Sequence, residues 1–156
     1  MSNATHIHAT SRGSIDPAGL ALQRQAEHFL GIETGRVVTS HVYSIAPAVP
    51  EELLTESTCN AFGDPILSRI ACGSLVPPPG YASRITVDKH AGVTDDEGKT
   101  AWTVLRDLYP NHVERSSVRS RIVYWIEAEL PASESYFGDL ESCFSEFPVF
   151  HRFSFT

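Results

Sequence analysis

The segment Gly13-Ser14-Ile15-Asp16-Pro17-Ala18-Gly19 returns as Gly92-Val93-Thr94-Asp95-Asp96-Glu97-Gly98, with Gly, Asp and Gly in register at an offset of 92 − 13 = 79 residues. The same offset places Leu22, Ala26 and Phe29 on Ala101, Leu105 and Leu108. Farther along, Val42-Tyr43-Ser44-Ile45 falls on Val123-Tyr124-Trp125-Ile126 at an offset of 81. Asp64-Pro65-Ile66-Leu67-Ser68-Arg69-Ile70 falls on Phe147-Pro148-Val149-Phe150-His151-Arg152-Phe153 at an offset of 83. The matched segments keep their order, and the offset grows by steps that short loop insertions explain. An internal repeat of this kind restricts the fold to two copies of one unit of roughly 75 residues, a plausible small-domain size. The units are expected at 1–73 and 82–156. The stretch 74–81 between them is rich in Pro and Gly and reads as a stiff, extended linker.

Each unit opens on a short strand. Arg84-Ile85-Thr86-Val87-Asp88 alternates apolar and polar residues, and Thr5 to Thr10 does so more weakly. A helix follows. Asp16 suits its N-cap and Pro17 its first position, Ile15 and Leu20 stand where a hydrophobic staple closes, and Gly31 suits its end. Leu22, Ala26 and Phe29 share one helical face. In the second copy Thr94 or Asp95 serves as cap, Glu97 completes a Thr-x-x-Glu box, and Pro110 stops the helix.

The second strand is long. From Val118 to Leu130, Ile122, Tyr124, Ile126 and Leu130 share a face, while Val123 and Trp125 interrupt the charged opposite face. That interruption predicts a second face covered at least locally. In the first copy Val37, Tyr43 and Ile45 lie on one face and Val38 and Val42 on the other. A weaker helix comes next (Pro50 to Leu54, Ser133 to Phe147), then a last strand (Ile66 to Ala71, Val149 to Phe155). The order β-α-β-α-β predicts an α+β protein of two ferredoxin-like, two-layer units. One such unit buries little core alone, so the pair is expected to associate as a covalent pseudo-dimer.

Composition narrows the function classes. With 42% hydrophobic and 20% charged residues and a net charge of −7, the chain reads as an ordinary soluble globular protein. The acidic balance argues against nucleic acid as a partner. No apolar run reaches the roughly 18 residues of a membrane span. Met1 to Ser14 lacks an apolar leader, so a cytoplasmic protein is expected. Cys59, Cys72 and Cys143 fit no zinc spacing and read as small buried hydrophobes in a reducing compartment.

Gly92-Val93-Thr94-Asp95 followed by Gly98-Lys99-Thr100-Ala101 resembles the strand-to-helix signature of the PurS family, and Asp16-Pro17-Ala18-Gly19 resembles it again. Phe62-Gly63-Asp64-Pro65-Ile66 is similar to the segment before that family's last strand, with Phe147-Pro148-Val149 as its echo. The resemblance spans nearly the whole chain, one PurS-like unit per half. It implies a part of phosphoribosylformylglycinamidine (FGAM) synthase, a glutamine-dependent, ATP-consuming enzyme of purine biosynthesis. In that family PurS neither binds ATP nor releases ammonia. It bridges the large synthetase subunit and the glutaminase subunit and helps shield the ammonia path. The implied role is a separate assembly subunit, or an N-terminal region of a longer chain, and self-association is compatible with either.

Catalytic chemistry of the chain's own is not expected. There is no phosphate-binding Gly-rich loop and no Gly-x-Gly-x-x-Gly. Cys72 precedes Gly73 without the preceding glycine of a nucleophile elbow. His6-Ile7-His8 offers two imidazoles without a third ligand, and Asp95-Asp96-Glu97 suits a helix dipole as well as a cation. No catalytic, cofactor-binding or metal residues are therefore assigned. Candidates for a partner interface are Tyr43, Asp64, Pro65, Arg69, Tyr124, Trp125, Phe147, Pro148 and Arg152. Arg69 and Arg152, at matched positions, suit either anchoring of a partner or phosphate, or cover of the sheet by their stems. The competing reading is a small-molecule binding or sensor module with a cleft between two copies.

Overall fold

Asp16 holds an extended backbone while its Oδ1 accepts the Gly19 N–H at 3.0 Å, and the chain turns into helix α1, Pro17–Leu30. Pro17 occupies a position whose N–H would be an orphan in any case. Gly31 ends the helix in the left-handed region at φ 65°, and the Ile32 N–H returns to the Ala26 carbonyl at 3.0 Å. The second long helix, Asp96–Leu108, starts at Asp95, whose Oδ1 accepts the Gly98 N–H at 2.9 Å. The cap is thus Asp95 and not Thr94 of the expected box, because the same carboxylate also reaches the strand that follows. This helix closes at Tyr109, one residue before Pro110.

The computed structural model describes residues 4–12, 16–73, 75–89, 92–111, 117–130 and 151–155. The expected helix at 133–147, Ile15 of the staple, and Phe147 and Pro148 lie outside them. The strands are β1 Thr5–Ser11, β2 Val37–Ala46, β3 Ser68–Cys72, β4 Ser83–Lys89, β5 Ser117–Ile126 and β6 His151–Phe155. A short helix α2, Glu56–Asn60, lies between β2 and β3, and the helix at Asp96–Leu108 is α3. The fold class is α+β, with a six-stranded sheet in the order β3-β1-β2-β5-β4-β6. That order is a mirror: third, first, second strand of one half, then second, first, third of the other. β4 and β6 run antiparallel with Ile85 opposite Phe155 and Lys89 opposite His151.

Three expected boundaries move, the first being the long strand expected over Val118 to Leu130, which ends at Ile126. The helix read at Pro50–Leu54 is a 3₁₀ turn at Glu51–Leu53, and α2 begins after it, capped by Thr55. β3 starts at Ser68 because Asp64 builds a turn first: its Oδ1 accepts the Ile66 N–H at 2.8 Å and its carbonyl the Ser68 N–H at 2.8 Å.

Two compact units emerge, and each draws on both halves of the sequence. One comprises 1–10, 41–75 and 94–121; the other comprises 11–40, 76–93 and 122–156. In the second of these, Leu22 and Ala26 of α1 pack with Val37 of β2, Ile85 and Val87 of β4, and Ile126. In the first, Ala101 and Leu105 of α3 pack with Ile7 of β1, Ile45 of β2 and Val118 of β5. A helix of one half therefore buries its apolar face against strands that include the other half's.

The helical faces differ from the expected ones in the same way twice. Phe29 is 75% exposed and Leu108 49% exposed; the buried positions are Gly19, Leu22 and Ala26 in α1, and Gly98, Ala101 and Leu105 in α3. The glycines explain the shift. A Cβ on Gly19 would stand 2.2 Å from the Val37 carbonyl oxygen, and one on Gly98 would stand 2.6 Å from that of Val118. Only a bare Cα lets each helix start come this close to the strand. On the sheet, Val123 and Trp125 are buried at 0% and 2% exposure, as their place among charges suggested, and the Trp125 indole N–H donates to the Ser40 hydroxyl at 2.8 Å.

One pairing departs from the sequence reading outright. Cys59 on α2 and Cys72 at the end of β3 form a disulfide, so these two are not separate buried thiols.

Candidate functional site

Asp95 fixes the start of α3 against β5 with one carboxylate. Besides capping Gly98, it accepts the Ser120 backbone N–H at 2.7 Å and the Ser120 hydroxyl at 2.6 Å. Asp16 does the same for α1: it accepts the Thr39 N–H at 2.6 Å and the Thr39 hydroxyl at 2.9 Å. The two clamps are copies, related by the offsets of the sequence repeat (95 − 16 = 79, 120 − 39 = 81).

The clamp at Asp95 sets the first turn of α3 beside Tyr43 of β2, and a cavity of about 310 Å³ opens between them. Tyr43 and Phe62 form its aromatic part, with ring centroids 5.3 Å apart at an interplanar angle of 49°. Ala61, Ala101 and Val104 add apolar wall, while Asp96, Glu97 and Thr100 supply the polar edge. Among the described residues that line it, none is basic. Burial first, then the nearby Glu97 and Asp95 carboxylates, push the Tyr43 phenol above its ordinary value and favour its protonated form. The helix just before Phe62 is tied down twice. Upstream, Thr58 donates to the Leu53 carbonyl at 2.9 Å and shares a hydrogen bond with the Tyr109 hydroxyl; the Cys59–Cys72 disulfide ties α2 to β3.

The sequence candidates fall in different places. Tyr43 lines the cavity. Asp64, Pro65 and Arg69 are exposed, on the turn after Phe62 and on β3, and Ile66 between them is 80% exposed. Tyr124 is half-buried against the core built on α1, and burial with the Asp16 charge raises its phenol. Trp125 is buried, with the Arg84 guanidinium carbon 6.0 Å from its ring centroid. Arg152 sits opposite Asp88 in the β4–β6 ladder, and its side chain lies outside the described residues, as do Phe147 and Pro148. Asp96 and Glu97, which in sequence suit a helix dipole as well as a cation, join Phe62 in the lining, and nothing in spacing alone brings Phe62 to Tyr43.

His6, weighed as half of a chelating pair, instead shares a 2.9 Å hydrogen bond between Nδ1 and the Ser44 hydroxyl. Burial and the Arg121 charge hold it below its ordinary value. Among the described residues no group of three His, Cys, Asp or Glu side chains is placed to hold a metal ion, and no helix is long and apolar enough to cross a membrane. No family model matches the chain, and no curated protein sequence matches it.

Proposed function

We propose that this chain is a non-catalytic assembly subunit, or N-terminal assembly region, of FGAM synthase. In this reading it consists of two tandem PurS-like, ferredoxin-like units that bridge the synthetase and glutaminase parts and help confine ammonia in transit. The observation that carries the reading is the duplicated clamp: Asp16–Thr39 and Asp95–Ser120 stand at the offsets of the repeat that resembles PurS. The mirrored strand order is what a fused pair of β-α-β-α-β units would give. The turn at Asp64–Leu67 offers a partner an exposed apolar pair, Ile66 and Leu67, flanked by Asp64 and Arg69, the mixture of anchor and charge that interfaces use.

The test is affinity purification of the tagged chain from extract of its source organism with glutamine and Mg-ADP present. Recovery of a synthetase or glutaminase subunit is the expected result. Recovery of neither, together with normal purine synthesis after loss of the gene, overturns the reading. A second reading, a small-molecule binding module, is favoured by the aromatic cavity beside α3.

A further inference from the structure

We propose that the cavity between β2 and α3 is a binding site for an organic cation, an ammonium or guanidinium group carried on an apolar or aromatic stem. The proposal stands on the cavity itself and holds whether or not the chain assembles with a synthetase.

Size comes first. About 310 Å³ is the lower end of the range of small-ligand sites and suits one amine-bearing fragment rather than a nucleotide. Chemistry comes second. The lining is mostly apolar and aromatic: the Tyr43 and Phe62 rings meet in a corner, their planes tilted by 49°. Such a corner takes an apolar stem by burial and a cation by the ring quadrupole. Charge comes third. Asp96 and Glu97 stand at the edge, and no basic residue lines the cavity among those described. An anionic ligand would face two carboxylates. It would also find the helix start already spent, since the Gly98 N–H is held by Asp95. A neutral ligand would leave those carboxylates unused. A cation on an apolar stem satisfies both parts of the site at once, and Thr100 and the protonated Tyr43 hydroxyl remain to accept its N–H groups.

The same group could arrive on a free amine or on an arginine side chain of another protein, and the test separates them. The full chain is titrated, at low salt, with phenethylamine, with its neutral counterpart phenethyl alcohol, with phenylacetate, and with arginine capped as the Nα-acetyl amide. Binding is read by chemical-shift changes at Tyr43, Phe62 and Thr100. We expect saturable binding of at least one cation, with the alcohol weaker and phenylacetate weaker still. The tighter of the two cations names the source. The double variant Asp96→Asn, Glu97→Gln, exposed on α3, should keep the fold and weaken the cation about tenfold while leaving the alcohol unchanged, as a screened pair of charges allows. Equal binding of amine and alcohol, no saturable binding of either cation, or unchanged affinity in the double variant each overturns the proposal.

Discussion

The Asp95 carboxylate and Ser120 are joined twice, through the Ser120 hydroxyl at 2.6 Å and its backbone N–H at 2.7 Å. The bond pair spans 25 residues and nails the start of α3 to β5 while a third hydrogen bond caps the helix at Gly98. A carboxylate used in this way is both a cap and a staple.

Its removal should therefore cost more than a cap. Asp95→Ala and Asp16→Ala are each expected to lower stability by about 2 to 3 kcal/mol, against about 1 for an ordinary cap. Ser120→Ala, which keeps the backbone bond, should cost about 1 kcal/mol. Gly98→Ala carries the opposite expectation to the usual rule. Alanine normally favours a helix interior by about 1 kcal/mol over glycine. Here the Cβ would stand 2.6 Å from the Val118 carbonyl oxygen, a backbone atom that cannot rotate away, so the variant should be destabilised. Urea unfolding of the four variants checks all of these, and a stabilised Gly98→Ala would show that α3 can lift from β5 without loss.

The Tyr43 phenol is raised above its ordinary value by burial and by Glu97 and Asp95. Folding thus favours its neutral form. Its contribution to stability is complete below the unfolded-state value, near 10, and is lost as pH climbs from there through the higher folded-state value. Phenolate absorbance during an alkaline titration should show Tyr43 and Tyr124 ionising above the ordinary tyrosine value. Tyr43→Phe should flatten the alkaline loss of stability, and a Tyr43 that titrates at the ordinary tyrosine value would mean that neither burial nor the carboxylates act on it.

The disulfide closes a loop with a sequence separation of 13. Chain-entropy arguments assign such a loop about 3 kcal/mol, so reduction, or Cys59→Ala with Cys72→Ala, should lower the unfolding midpoint markedly. It should also loosen Phe62, which follows α2, and broaden the Tyr43 and Phe62 resonances together. Peptide mapping without reductant checks the pairing itself.

Cleavage of the linker tests the shared cores. Residues 1–73 hold α1 without Ile85 and Val87, and residues 82–156 hold α3 without Ile7 and Ile45. Each fragment alone should lack a cooperative unfolding transition, and an equimolar mixture should regain one. Two fragments that each unfold cooperatively would contradict the interleaving.

Much of the local structure was legible in the residues. Asp16, Pro17 and Gly31 mark α1 correctly because caps are local chemistry, and the alternation in Arg84–Asp88 marks β4. The buried second face at Val123 and Trp125 followed from two apolar residues among charges. What failed was anything decided at a distance. The spacing Leu22-Ala26-Phe29 and the spacing Gly19-Leu22-Ala26 fit a helix equally; only the approach of Gly19 to the Val37 carbonyl selects the second. Cys59 and Cys72 lie on separate elements, and no pattern couples them. Periodicity showed that α1 and α3 have apolar faces, but not which strands would receive them. The cavity was hidden for the same reason, because Asp96 and Glu97 serve a helix start whether or not Tyr43 stands opposite.

The exchange of helix faces between the halves has a consequence for how such a chain can change over generations. Copies that fold side by side are free to diverge, each answering only to its own interior. Here Leu22 from one copy and Ile85 from the other fill the same space, so a change of volume at either is felt by its neighbour with a coupling of about 0.5–3 kcal/mol. Neither copy can be lost, swapped for a relative's, or remodelled alone. The duplication, once fused in this form, is locked in as a joint inheritance.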